Sequence, residues 1–207
     1  GSQSSLFAYF YYSRQLNYKE RKNLQKEKII LGIDPGTNVM GYGVIKVSNS
    51  DISVLDSGAL SMKKEKDLGV RLKMIFEEMI RIIDTHLPDE LAIEAQFFGQ
   101  NVQSMLKLGK AQGVAIAAAL SRSIPFEEYA PKKIKMSITG KGTSSKEQVA
   151  SMLTHILKVK SLPEPLDATD GLAAAVCHHF QSSSPNGTKK YSGWDSFLKN
   201  NPGKIKG

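Results

Sequence analysis

The 207-residue chain has one cysteine, Cys177, one tryptophan, and no run near the roughly 18 consecutive apolar residues that span a bilayer. A lone cysteine excludes an internal disulfide framework and offers no thiolate set for a structural zinc site. Leu6 to Tyr12, LFAYFYY, is too short for a membrane helix and has no obvious small-residue cleavage site, so neither an anchor nor a signal peptide is expected. The expected setting is soluble, reducing and cytoplasmic. Gly1-Ser2 reads as an expression-tag remnant. Histidine is also scarce: His86, His155, His178 and His179 are scattered or adjacent, never at metal-ligand spacing, and each reads first as a structural or surface side chain.

The chain does carry basic charge, +8 in all, unevenly placed. Residues 1–28 hold six basic and two acidic side chains, and residues 183–207 hold five and one. Residues 29–182 are neutral overall but divided: Lys107 to Lys160 has ten basic and three acidic residues, while the remainder of that body is net acidic. We expect a flexible or peripherally docked arm (1–28), one folded body (29–182) of ordinary domain size, and a basic tail (183–207). A charge run also suits a plain solvated face; a basic segment beside an acidic cluster asks for more.

The organising stretch is Ile29 to Gly43, IILGIDPGTNVMGYG. A β-branched and leucine run drives into Asp34, Pro35 holds that residue extended, Gly36 permits a turn, and Gly41 to Val47 returns as a second strand. Ile52 to Met62 reads as a third antiparallel strand, with Gly58 suggesting a bulge. Asp67 to His86 has the 3.6-residue apolar period of a helix, capped by Asp67 and followed by Pro88. Glu90 to Ala95, ELAIEA, repeats the opening pattern and drives apolar residues toward Glu94. Further along the spacing predicts a small-residue helix (Asn101 to Arg122), a strand (Ile124 to Tyr129), a short basic helix (Pro131 to Thr139) and a helix from Ser145 to Val159, opened by a capping box of Ser144 and Glu147. A final helix begins near Leu166 with Asp167 and Asp170 on one face. A hairpin of strands followed by alternating helices and strands predicts an α/β fold: a mixed five-stranded sheet, its first three strands antiparallel, with helices on both faces.

Asp34, Glu94, Asp167 and Asp170 thus come from two strand ends and one helix start, where such a sheet gathers a site along one edge. Like charges in one pocket repel, so the cluster stays ionised at neutral pH mainly around a cation. Oxygen-only donors favour Mg²⁺, or Mn²⁺, over zinc, and a pair of such ions suits phosphodiester hydrolysis. Each acid also has a plainer reading: Asp34 suits a turn cap, and either Asp167 or Asp170 an N-cap. Glu94 fits no such role, because a buried acid is costly unless paired or metal-bound. His179 lies on the last helix, where it could approach the acids. The same opening turn also suits the phosphate loop of an actin-like or sugar-kinase ATPase, but no second phosphate loop follows Ala95.

The stretches IILGIDPGTNVMGYGVI, LAIEAQFFGQN, LKLGKAQGVAIAAAL, YAPKKIKMSITGKGTSSKEQV and LDATDGLAAAV, in order across residues 29–180, together resemble a RuvC-type Holliday-junction resolvase. The resemblance implies a ribonuclease H-like fold, a homodimer, Mg²⁺-dependent nicking of four-way junction DNA, bacterial recombination and repair, and a RuvA–RuvB-type branch-migration motor as partner. It implies that Asp34, Glu94, Asp167 and Asp170 are the catalytic, metal-binding acids, with two ions expected per site. It also matches Phe97 to an aromatic that meets unpaired bases, and Lys135 and Lys146 to basic residues near the cut strand. Phe97 equally suits plain core. Lys107, Lys132 and Lys133 are candidates for DNA backbone contacts on the strength of the basic segment alone. A non-catalytic junction-binding protein of the same fold is the alternative, against which the four intact acids argue.

Overall fold

The structure is a computed structural model and describes residues 27–49, 51–95, 101–162 and 166–183. Apart from Glu27, Lys28 and Ser183, the expected arm and tail lie outside the described residues. Strands β1 (Glu27–Asp34), β2 (Val39–Ser48) and β3 (Asp51–Ser61) form an antiparallel meander, and β4 (Glu90–Glu94) and β5 (Phe126–Tyr129) add parallel to β1's free side. The sheet order is β3-β2-β1-β4-β5. Five helices cover it among the described residues: α1 (Leu68–His86), α2 (Val102–Ser121), α3 (Pro131–Thr139), α4 (Lys146–Leu157) and α5 (Leu166–Ser183).

Strand alternation sorts the core into two layers. Leu31, Ile33, Tyr42 and Val44 pack under α1 and α2, whereas Ile30, Ile45, Val47 and Ala92 pack under α3, α4 and α5. Helix α5 lies closest to the sheet because Leu172 to Cys177, LAAAVC, is small and wholly buried. A Cβ built on Gly41 of β2 would stand 1.9 Å from the Asp167 carbonyl oxygen, so only glycine lets the first turn of α5 rest on that strand. At the far end of α5, buried His178 is bonded through Nδ1 to the Tyr129 hydroxyl at 2.7 Å and through Nε2 to Glu90, which also pairs with Lys28 Nζ at 2.5 Å. Burial pushes the Glu90 carboxyl up, but the His178 and Lys28 hydrogen bonds outweigh it and hold the group at about 2. His178 is therefore a structural histidine, locking α5 to β4 and β5.

Two local details differ from the sequence reading. The register break of β3 falls opposite Val44/Ile45, leaving Leu55 as the extra residue, rather than at Gly58, which pairs regularly with Tyr42. The bulge re-aims Asp56 so that it accepts from Tyr42 Oη at 3.3 Å and lies 3.0 Å from His86 Nε2. The capping box of α4 is Ser145 with Gln148, one residue later than expected, because the Ser144 hydroxyl is bonded to Thr139 Oγ1 at 2.8 Å instead.

Candidate active site

Asp34 ends β1 and Glu94 ends β4. These strands run parallel with Ile33 beside Ile93, so the two acids follow as the next neighbours on strands about 4.8 Å apart. Period-2 alternation from Ile30 and Ala92 turns both carboxylates toward the α5 side of the sheet. Across the hairpin, Asp34 pairs with Gly41, the residue on which the first turn of α5 rests. The helix start carrying Asp167 and Asp170 is thereby brought to the end of β1. The turn after Asp34 is held from the other side by Arg71 of α1, whose Nη1 donates to Thr37 O at 3.1 Å and Asn38 Oδ1 at 2.7 Å. Sequence reading passed over Arg71; its only sequence signal is a lone arginine near the start of an otherwise amphipathic helix.

Asp34, Glu94 and Asp170 line one cavity of about 90 Å³ with Lys135 and Lys146, over an apolar floor that includes Ile134, Val149 and Ala173. That is room for a few waters, or a cation with part of its shell. Burial first, then the Asp170 and Asp167 charges, pushes the Asp34 carboxyl up to about 6 against the opposing pull of Lys146. Burial, Asp34 and Asp170 push Glu94 further, to about 8, against Lys146 and Lys135. Lys146 Nζ meets Asp170 Oδ2 at 2.8 Å. A wider cleft of about 500 Å³ opens alongside, between Thr139, Ser144 and the α4 residues Glu147 to His155, but its one carboxylate makes no acidic cluster.

Among the described residues no three acid, histidine or cysteine side chains form a ready-made metal cage. The donor set nonetheless fits a hard divalent cation. It is oxygen-only, two of its members are driven toward protonation by burial and mutual repulsion, and a third is neutralised by a lysine. A cation would relieve the repulsion and compete with Lys146 for Asp170.

The other sequence candidates fall into three groups. Asp167 does not line the cavity, yet its charge reaches Asp34 from one helical turn before Asp170. Lys107 on α2 and Lys132 and Lys133 on α3 are exposed and outside the cavity. Phe97 and its neighbour Phe98 lie outside the described residues.

Residues 30–178 match the family described as Crossover junction endodeoxyribonuclease RuvC. The chain belongs to that family. A RuvC of Christiangramia forsetii is 59% identical over 187 residues, covering 90% of this chain and 97% of the relative. A RuvC of Bacteroides fragilis is 56% identical over 183 residues, covering 87% and 97%. Among solved structures, Thermus thermophilus RuvC in complex with Holliday junction substrate superposes with a TM-score of 0.70 at 29% identity, covering 75% of this chain and 94% of that one. The expected ribonuclease H-like mixed sheet with helices on both faces is the fold observed.

Proposed function

We propose that this family member is a structure-selective endonuclease that resolves four-way DNA junctions by metal-dependent phosphodiester hydrolysis in recombination and repair. One observation carries the reading: β1, β4 and α5 bring three carboxylates, and α3 and α4 two lysines, to a single cavity at the sheet edge. A purely DNA-binding role gives no reason to bury Asp34 and Glu94 together at the cost their raised proton affinities reveal. The ATPase alternative finds no second phosphate loop in the sequence.

In this reading Asp34, Glu94, Asp167 and Asp170 hold the metal, two Mg²⁺ ions with Mn²⁺ as substitute. Such ions, when bound, supply an activated water and neutralise charge on the leaving oxygen. Lys146, displaced from Asp170, and Lys135 beside Glu94 then steady the scissile phosphate. Lys107, Lys132 and Lys133, outside the cavity, hold backbone phosphates away from the cut. Phe97, three residues beyond Glu94, stacks on a base near the junction centre. Residues 29–182 make up the nuclease body, with the basic arm and tail as appendages. A bacterial cytoplasmic setting and a branch-migration motor partner belong to the same reading. Among the described residues no helix is long and apolar enough to cross a membrane.

Two-fold junction symmetry suits two equal sites on a C₂ dimer. Helix α2 offers a face for it: Val102, Leu106 and Leu120 are 62%, 56% and 54% exposed, and a Cβ on Gly109 or Gly113 would meet nothing within 4 Å. Leu106→Glu should turn a dimer into monomers in sedimentation velocity. A variant that sediments as wild type removes this face from the interface.

The function itself is tested by incubating wild-type protein with four-way junction and linear duplex of the same sequence, with Mg²⁺ and with EDTA. Paired symmetric nicks in the junction, dependent on Mg²⁺, are expected. Equal cutting of duplex, or junction cutting in EDTA, overturns the proposal.

A further inference from the structure

The β3–α1 connection, Met62 to Asp67 with sequence MKKEKD, sits at the same sheet edge as the acids, on the far side of β1 from Lys135, whose helix follows directly on β5. Its first residue is an anchor: Met62 is buried, and its N–H donates to Asn38 O at 2.8 Å, in the turn that follows Asp34. A second tie comes from Arg71, whose Nε donates to Glu65 O at 2.7 Å while its Nη1 holds Thr37 and Asn38. The loop is thus fastened to the turn beside the active site at both backbone and side-chain level.

Its acids have backbone partners, whereas its lysines have no ion-pair partner among the described residues. The Glu65 carboxylate is spent on the backbone, accepting from Lys66 N at 2.7 Å and Asp67 N at 2.8 Å. Asp67 caps α1 by accepting from Val70 N at 2.8 Å. Both acids therefore face the partial positive charge of a helix start, which offsets them. Lys63, Lys64 and Lys66 are exposed, and none forms an ion pair with another described residue. Three long cations stand on a pinned backbone at the end of β3, a strand two spacings or roughly 10 Å from β1.

We infer that Lys63, Lys64 and Lys66 form a second phosphate-binding surface, which holds the nucleic-acid backbone on the β3 side of the acids while Lys135 holds it on the other. Substrate is then gripped on both flanks of the cut, and the Arg71 tie keeps the outer grip in fixed register with Asp34. This rests on the nuclease reading above, so the test separates the two.

Lys63→Ala/Lys64→Ala is compared with Lys46→Ala/Lys158→Ala, which removes the same charge at the opposite sheet edge, where these lysines pair with Glu27 and Asp51 at 2.7 Å each. Junction affinity is measured in EDTA across a range of salt, after melting curves verify that both variants fold. The loop variant should flatten the slope of log affinity against log salt by about two units, one per lost contact, and the control should leave it in place. Equal flattening in both variants shows only net charge, and unchanged slope in both assigns the lysines to another partner such as an acidic protein; either overturns the inference while wild-type cleavage leaves the nuclease reading standing. Absence of junction binding by the wild type sinks both.

Discussion

Asp34→Asn should cut four-way junctions at least 10³-fold more slowly than wild type while binding them as tightly or more so. The substitution keeps the shape of the side chain and removes one negative charge from a cavity that holds three carboxylates. Losing that charge weakens cation binding, and 10³ in rate corresponds to about 4 kcal/mol of transition-state stabilisation. Glu94→Gln and Asp170→Asn should behave alike. The same variants make an opposite prediction for stability. Burial and mutual repulsion raise Asp34 to about 6 and Glu94 to about 8, so the metal-free folded state holds protons that the unfolded chain has released. Stability present below the ordinary carboxylate range is lost as pH rises through those values. Glu94→Gln never ionises and escapes the loss, so in EDTA its melting temperature should exceed that of wild type by a margin that widens from pH 5 to pH 8. Added Mg²⁺ should reverse the order at pH 8 by stabilising wild type alone. A variant that cuts near the wild-type rate, or a margin that stays flat with pH, ends the metal-site assignment.

Gly41→Ala should melt roughly 4–12 °C below wild type and lose about 10²-fold in cleavage, the largest effect expected from one methyl group. The new Cβ would lie 1.9 Å from the Asp167 carbonyl oxygen. Gly41 cannot retreat, because it is paired with Asp34 on one side and Ala59 on the other. The start of α5 must lift instead, taking Asp167 and Asp170 away from Asp34. Overpacking of this kind costs about 1–3 kcal/mol, and a displacement near 1 Å at a catalytic group is enough for the rate loss. Melting and single-turnover cleavage, measured together, check it; a variant that melts within a degree of wild type and cuts normally removes Gly41 as the seat of the helix.

Much of this site was legible in the sequence because its key acids end apolar runs. Ile29 to Ile33 and Leu91 to Ile93 are buried strands, and a carboxylate directly after such a run has few places to go but the sheet edge. The helices with clear period and cap, such as α1 behind Asp67, were legible for the same local reason. What escaped depends on distant partners. Alternation says that Asp34 and Glu94 share a face only once the β1–β4 register is known. Two adjacent serines gave no reason to prefer Ser145 over Ser144 as a cap until Thr139 claimed the latter. The basic segment named Lys107, Lys132 and Lys133 alongside Lys135 and Lys146, but α2 carries Lys107 on the other face of the sheet, and helix phase on α3 leaves Lys132 and Lys133 outside the cavity. Lys63 to Lys66 was hidden by the opposite effect: Glu65 and Asp67 dilute it in sequence, and only the fold shows both carboxylates engaged by backbone N–H groups.

The seating of α5 on β1 and β2 also sets the order in which the chain can become dangerous. Asp34 leaves the ribosome early, Glu94 some sixty residues later, and the helix bearing Asp167 and Asp170 comes last among the described elements. Contacts between α5 and the opening hairpin span well over a hundred residues, so they close late and are absent from any partly made body. The hairpin, α1 and β4 can find one another beforehand, yet they offer a strand end with two repelling acids and no helix to complete the set. Under the proposed function, a truncated or stalled chain would carry the basic segment without the full set of acids, and competence to nick would be acquired in the same step that closes the core.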